Sequence, residues 1–196
     1  RNCILDAAIR LFTSKGFEQT SIEEVAREAG IGKGTVYSYF QTKKDIVRAF
    51  CEEELDYVRN ELATNTNPDT PLSDQLLIIF MAEFNHVSKN KDFGRLYLQE
   101  KVFPKERYNA EDLAMQNQYF EFLYPIYQAA QQRGEIRDDL ELLHISGHFY
   151  ALYLLLLSCW YNGMIPSEDM RDAMQTMITQ TIEGLKPQHS APVNTK

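Results

Sequence analysis

The sequence predicts an all-α protein of about nine helices, and three observations carry that expectation. Apolar residues recur at the i, i+3, i+4 and i+7 spacing of a helix face in nearly every long segment. Leu, Ala, Glu, Gln and Met dominate those segments, whereas the alternation of a half-buried strand is rare. Glycine and proline are few, 9 and 7 in 196 residues, and several stand where helices should start or stop. With 44 % hydrophobic residues, the chain has a globular composition, long enough for one sizeable domain or two small ones.

The first helix is expected from residue 2 to Lys15. Ile4, Leu5, Ala8, Leu11 and Phe12 share one face, and Gly16 stops it with Lys15 suited to the negative helix end. The second starts at Ser21, where Ser21-x-x-Glu24 spells a capping box, and buries Ile22, Val25, Ala26 and Ala29. Gly30-Ile31-Gly32 then forms a tight turn. The third helix, Lys33 to Phe40, has only Val36 and Phe40 at core spacing. A fourth, Lys43 to Ala63, carries Ile46, Val47, Phe50, Leu55, Val58 and Leu62, and the polar stretch 64–71 is the clearest linker. Further helices are expected over Pro71–Asn90, Asp92–Phe103, Asn109–Arg133 (with Pro125 inside), Asp138–Tyr161 and Ser167–Leu185. The tail 186–196 has little to bury and is expected to be flexible.

The formal net charge is −8, but it is unevenly spread. Residues 1–48 carry eight Lys/Arg and six Asp/Glu, a net of +2, which leaves −10 on the remainder. Such asymmetry suggests two jobs, with any polyanion at the less acidic end. Cys3, Cys51 and Cys159 show no metal or redox spacing, so a reducing, cytoplasmic compartment is expected. The longest apolar run, Phe149 to Trp160, is about 12 residues against the ~20 of a membrane span, and no membrane partner is expected. The sequence opens at Arg1 without Met, and a basic N-terminal arm is a candidate omission.

Two helices joined by a glycine turn within about 20 residues form a helix-turn-helix, whose second helix enters the DNA major groove. The outward residues of the third helix suit that role. Lys33, at its start, can reach a guanine edge or a phosphate. Thr35, Tyr37 and Tyr39 can donate hydroxyls to phosphates, Tyr37 also to a base, and Gly34 leaves the first turn bare. Lys43 opens the fourth helix, where its charge and the helix amides together attract a phosphate. Ser21 combines capping with a possible phosphate contact. The candidate DNA-binding set is thus Ser21, Lys33, Gly34, Thr35, Tyr37, Tyr39 and Lys43.

Three motifs sharpen this: A-x-x-L-F-x-x-x-G-F-x-x-T-S-I at 8–22, V-A-x-x-A-G-I at 25–31, and G-T-V-Y-x-Y-F-x-x-K at 34–43. On these, residues 4–50 resemble the N-terminal domain of the tetracycline-repressor (TetR) family. One departure is Gly32, where many members have a Ser cap. The resemblance implies a DNA-binding domain at 1–48 and an effector-binding and dimerisation domain at 49–185. It implies a homodimer through the helices at about 138–161 and 167–185, a palindromic double-stranded operator, and repression relieved by an unknown small effector.

A pocket in the C-terminal domain should be apolar with a few polar groups. Tyr97, Tyr119, Phe120, Tyr127, His148 and Phe149 are the candidate lining, which suggests a bulky, largely apolar effector. His144 and His148 have i, i+4 metal spacing but lack supporting ligands, so no metal or cofactor is expected. Glu52-Glu53-Glu54 reads as a solvated face. No Ser/His/Asp, Cys/His or phosphate-loop arrangement points to an enzyme. The alternative is a regulator of the same family without an effector, constitutive or controlled by a protein partner.

Overall fold

The computed structural model describes residues 1–103 and 107–186. All regular structure among them is helical: α1 (Asn2–Lys15), α2 (Ile22–Glu28), α3 (Lys33–Tyr39), α4 (Lys43–Asn65), α5 (Leu72–Ser88), α6 (Lys91–Val102), α7 (Ala110–Gln132), α8 (Leu142–Tyr161) and α9 (Met170–Gly184). The expected all-α fold is the observed one. The tail expected to be flexible lies outside the described residues from 187 onward.

The helix ends follow from local chemistry. Gly16, at φ 96°, closes α1 and returns its N–H to the Phe12 carbonyl. α2 has the full capping box: Ser21 Oγ accepts from the Glu24 N–H at 3.2 Å, and Glu24 accepts from the Ser21 N–H at 2.9 Å. Thr42 and Asp45 repeat that arrangement at the start of α4. Asn109 and Asp112 do so before α7. Asn90 caps α6 by accepting from the Phe93 N–H at 3.0 Å.

Two helices start later than periodicity suggests. α8 begins at Leu142 rather than Asp138, because Arg137 pairs with Asp139 and its N–H donates to the Leu185 carbonyl, which holds that stretch as a turn. Residues 167–169 form a 3₁₀ turn ahead of α9, tied to α8 where the Trp160 indole donates to Ser167 Oγ at 2.8 Å.

The described residues pack as two compact units. The first is Arg1–Val58 with Glu83–Met115. Its core holds Ile4, Leu5, Phe12, Val25, Val36, Phe40, Ile46 and Phe50, all buried. A run of aromatic contacts threads it: Phe17 meets Phe12 edge-on at 5.0 Å, Phe12 stacks on Phe93 at 6.3 Å, and Phe93 meets Phe50 at 4.7 Å. Each such ring contributes about 1.5–3 kcal/mol by burial alone.

The second unit is Arg59–Ala82 with the described residues from Gln116 onward. Leu72, Leu76, Phe80, Tyr127, Phe149, Tyr153, Leu156, Met174 and Ile178 form its core. Phe80 stacks on Tyr153 at 5.1 Å and Tyr127 on Phe149 at 5.8 Å. α8 is long and apolar enough to cross a membrane by length and composition alone, with a mean hydropathy of 1.5. The sequence expectation counted the run from Phe149 to Trp160, whereas the helix also takes in the apolar residues ahead of Ser146, Gly147 and His148. Only about a third of its most apolar stretch is buried, and Leu143 and Leu155 are each 50 % exposed.

Candidate nucleic-acid interface

α1, α2 and α3 pack through Phe12, Val25, Ala26 and Val36, which fixes α3 with one face inward. Gly30, at φ 66°, makes the bend between α2 and α3, a backbone conformation that side chains resist. Gly32 precedes α3 without a side-chain cap, so the first amides of α3 lack a hydroxyl partner from that residue.

The sequence-predicted residues divide by environment. Lys33, Gly34 and Thr35 are exposed, Tyr39 is 57 % exposed, and a Cβ at Gly34 would meet open space. These four leave the surface of α3 open to a partner. Tyr37 is half-buried and donates its hydroxyl to Glu23 Oε1 on α2 at 3.1 Å. The Lys33 ammonium lies 2.6 Å from the same oxygen and 5.6 Å from the Tyr37 ring centre. Hydrogen bonding from Lys33 holds the Glu23 carboxyl below its ordinary range. Glu23 in turn raises the pKa values of Lys33 and Tyr37.

Ser21 is occupied as a cap, as described. Its partner Glu24 is bound by Lys15, which is the main reason its carboxyl is lowered to about 2. Lys43 has a different setting from the one the sequence suggested. Its ammonium donates to the backbone carbonyls of Phe17 and Glu18 and sits 4.6 Å from the centre of the Phe17 ring. The amino end of α4 already holds an anion, the Asp45 carboxylate, which accepts from the Gln41 and Thr42 amides at 2.9 and 2.8 Å. The lysine thus ties α4 to the α1–α2 loop. Sequence reasoning missed Glu23, because nothing in the local pattern of α2 shows that two groups ten and fourteen residues later will converge on it.

The candidate effector residues do not form one group. Tyr97 is buried in the first unit, whereas the other five belong to the second. Tyr127 and Phe149 are buried and stacked, Tyr119 and Phe120 are half-buried, and His148 is exposed. A small cleft in the second unit, about 220 Å³ including its open mouth, is lined by apolar and aromatic side chains of α5, α8 and α9. Of the six residues, only Phe149 lines it.

The surroundings of α3 agree with comparisons to known proteins. The sequence profile of the bacterial regulatory proteins of the tetR family matches residues 4–50. The chain is 34 % identical over 107 residues to the HTH-type transcriptional regulator YerO of Bacillus subtilis. That match covers 53 % of this chain and only 37 % of YerO. It is 27 % identical over 158 residues to IcaR, the negative regulator of the biofilm operon icaADBC in Staphylococcus aureus, covering 81 % of this chain and 80 % of IcaR. A TetR-family regulator from Syntrophomonas wolfei has the same fold, with a TM-score of 0.76, 18 % identity, and coverage of 98 % of this chain and 97 % of its own.

Residues 4–50 are a DNA-binding domain of the TetR family.

With that TetR domain the protein is a DNA-binding transcriptional regulator. The fold is shared with FadR of Bacillus subtilis, solved in complex with stearoyl-CoA, at a TM-score of 0.70 and 18 % identity over 96 % of this chain and 99 % of that one.

Proposed function

We propose that the protein is a homodimeric repressor that binds a palindromic operator and is released by a small effector. One observation carries the DNA half of this reading: α3 is packed against α2 through the buried Val36 and presents Lys33, Gly34, Thr35 and Tyr39 outward. In this role Thr35 and Tyr39 position the backbone, while Lys33 and Tyr37 read bases after leaving Glu23. Lys43 and Ser21 act beneath them, holding the α1–α2 loop and the start of α2. The similarity to a negative regulator, IcaR, supports repression.

The dimer reading is supported by α8, whose outward face keeps Leu143 and Leu155 half exposed. A second copy of this chain would cover that face with α8 and α9 of both copies. Two-fold symmetry then sets two recognition helices roughly 34–36 Å apart or somewhat more, which calls for a palindrome. An effector acts by binding the DNA-incompetent arrangement more tightly than the competent one. α4, whose residues are divided between the two units, is the segment through which such a change would reach the helix-turn-helix.

Binding to the protein's own upstream DNA, measured by fluorescence anisotropy across a salt series, tests the reading. A specific complex with a steep salt dependence is expected. Binding that ignores sequence, or a monomer in sedimentation, would overturn it. A second reading, regulation without a small molecule, is favoured by the cleft, whose interior of about 10 Å³ has room for little more than one water.

A further inference from the structure

Two helices of the first unit begin with the same device. At the head of α4, Asp45 Oδ2 accepts from the Gln41 and Thr42 amides at 2.9 and 2.8 Å, and Thr42 Oγ1 accepts from the Asp45 N–H at 3.2 Å. At the head of α7, Asp112 Oδ2 accepts from the Asn109 amide at 3.1 Å, and Asn109 Oδ1 accepts from the Asp112 N–H at 2.9 Å. Each aspartate thus commits one oxygen to its cap and keeps the other. Both remaining oxygens meet one side chain. Arg48 donates through Nη1 to Asp45 Oδ1 at 2.8 Å and through Nε to Asp112 Oδ1 at 3.1 Å. Nη1 also donates to Glu111 Oε2 at 2.6 Å. The Arg48, Asp45 and Asp112 side chains are 18, 25 and 20 % exposed, whereas Glu111 is 74 % exposed, so the two aspartates are the partners least screened by water.

We propose, resting on the reading of α3 as the helix that enters the groove, that Arg48 is a positioning residue for operator recognition. Gln41 and Thr42 follow α3 directly, just after the buried Phe40. Asp45 therefore holds the turn by which the chain leaves α3, and Arg48 fastens Asp45 to the start of α7. The guanidinium fork sets the direction of both bonds at once, which the point charge of an ammonium does not. The amides of each helix end favour its own carboxylate. Without the guanidinium, however, three carboxylates face one another and push the two helix heads apart. The exit of α3 then loses its hold on α7, and the helix meets the groove in a broader set of orientations. Arg48 does this without touching DNA, since its charge is turned inward onto the acids.

Charge and position predict opposite signs for one substitution. Asp112→Asn removes a negative charge, and its amide oxygen can still accept from the Asn109 N–H. By charge alone the variant would bind any polyanion more tightly. As the partner of a positioning residue, it should weaken the operator complex by about three- to tenfold and a scrambled duplex far less. Full-length variants are titrated by anisotropy with the protein's own upstream DNA and with the scrambled duplex across a salt series. Arg48→Met is expected to lose at least as much on the upstream DNA, with an unchanged dependence of affinity on salt, because no phosphate contact disappears. Arg48→Lys keeps the charge without the fork and should recover only part of the loss. Arg48→Met with Asp112→Asn should lose no more than Arg48→Met alone. If Arg48→Met does not fold, Asp112→Asn decides the matter. Upstream binding by Asp112→Asn that is unchanged or tighter, equal losses on both duplexes, or a salt slope shallower by about one in Arg48→Met overturns the proposal. An unaltered protein that binds both duplexes alike overturns the reading of α3, and this role with it. Specific binding by the unaltered protein with an indifferent Asp112→Asn overturns the role of Arg48 alone.

Discussion

The Lys33 ammonium at the head of α3 lies 2.6 Å from the Glu23 carboxylate of α2. The lysine placed to read DNA therefore has an internal anion before any phosphate arrives, and Tyr37 shares it at 3.1 Å. DNA binding at this position exchanges one anionic partner for another. Glu23→Gln should raise affinity for cognate and non-cognate DNA alike by about two- to fivefold, since exposed pairs are weak. Anisotropy titrations on both DNAs measure this. A loss of affinity would mean that Glu23 orders α3 rather than competing with DNA.

Lys43 is expected to matter without DNA present. Its ammonium holds the carbonyls of Phe17 and Glu18 and covers the Phe17 ring. Lys43→Met should destabilise the free protein by about 1–2 kcal/mol, because hydrogen bonds to a charged donor exceed neutral ones. Thermal unfolding of the free variant reads it. An unchanged melting temperature with weakened operator binding would assign the lysine to phosphate instead.

Stability should fall as acid is added through the imidazole range. Burial lowers the pKa of His86 below its ordinary 6.5, so the unfolded chain binds the proton more readily than the folded one. The contribution is complete above the unfolded value and is lost as pH drops below it. Melting temperatures from about pH 8 down to about pH 5.5 should decline below about 6.5, and His86→Leu should flatten that decline. A further loss is expected at stronger acidity. Glu24, lowered to about 2 chiefly by its hydrogen bond from Lys15, stabilises the fold in full above the ordinary carboxylate range. That contribution fades as pH falls toward 2.

The outward face of α8 should govern assembly. Leu155→Glu places a charge on a face where Leu155 and Leu143 are each 50 % exposed. Burying an unpaired carboxylate against a second copy costs several kcal/mol, so dimer and operator affinity should both fall by about a hundredfold or more. Sedimentation velocity and anisotropy report the two effects. A variant that remains dimeric would move the interface elsewhere.

The order of helices, their caps at Ser21 and Gly16, and the inward positions Val36 and Phe40 were all legible along the chain. They depend on interactions spanning three to eight residues, which linear spacing records directly. The outward residues of α3 were legible for the same reason, since a short helix with two core positions leaves the rest outside. What only the tertiary structure decided were partners. Lys43 turned toward two carbonyls twenty-five and twenty-six residues away. Glu23 gathered Lys33 and Tyr37, and Glu54 left its acidic run to meet Tyr97, forty-three residues on. A charged residue on a helix has the same sequence signature whether its face is solvated or packed. Burial is set by the neighbouring helices, and no local pattern encodes which of them will arrive.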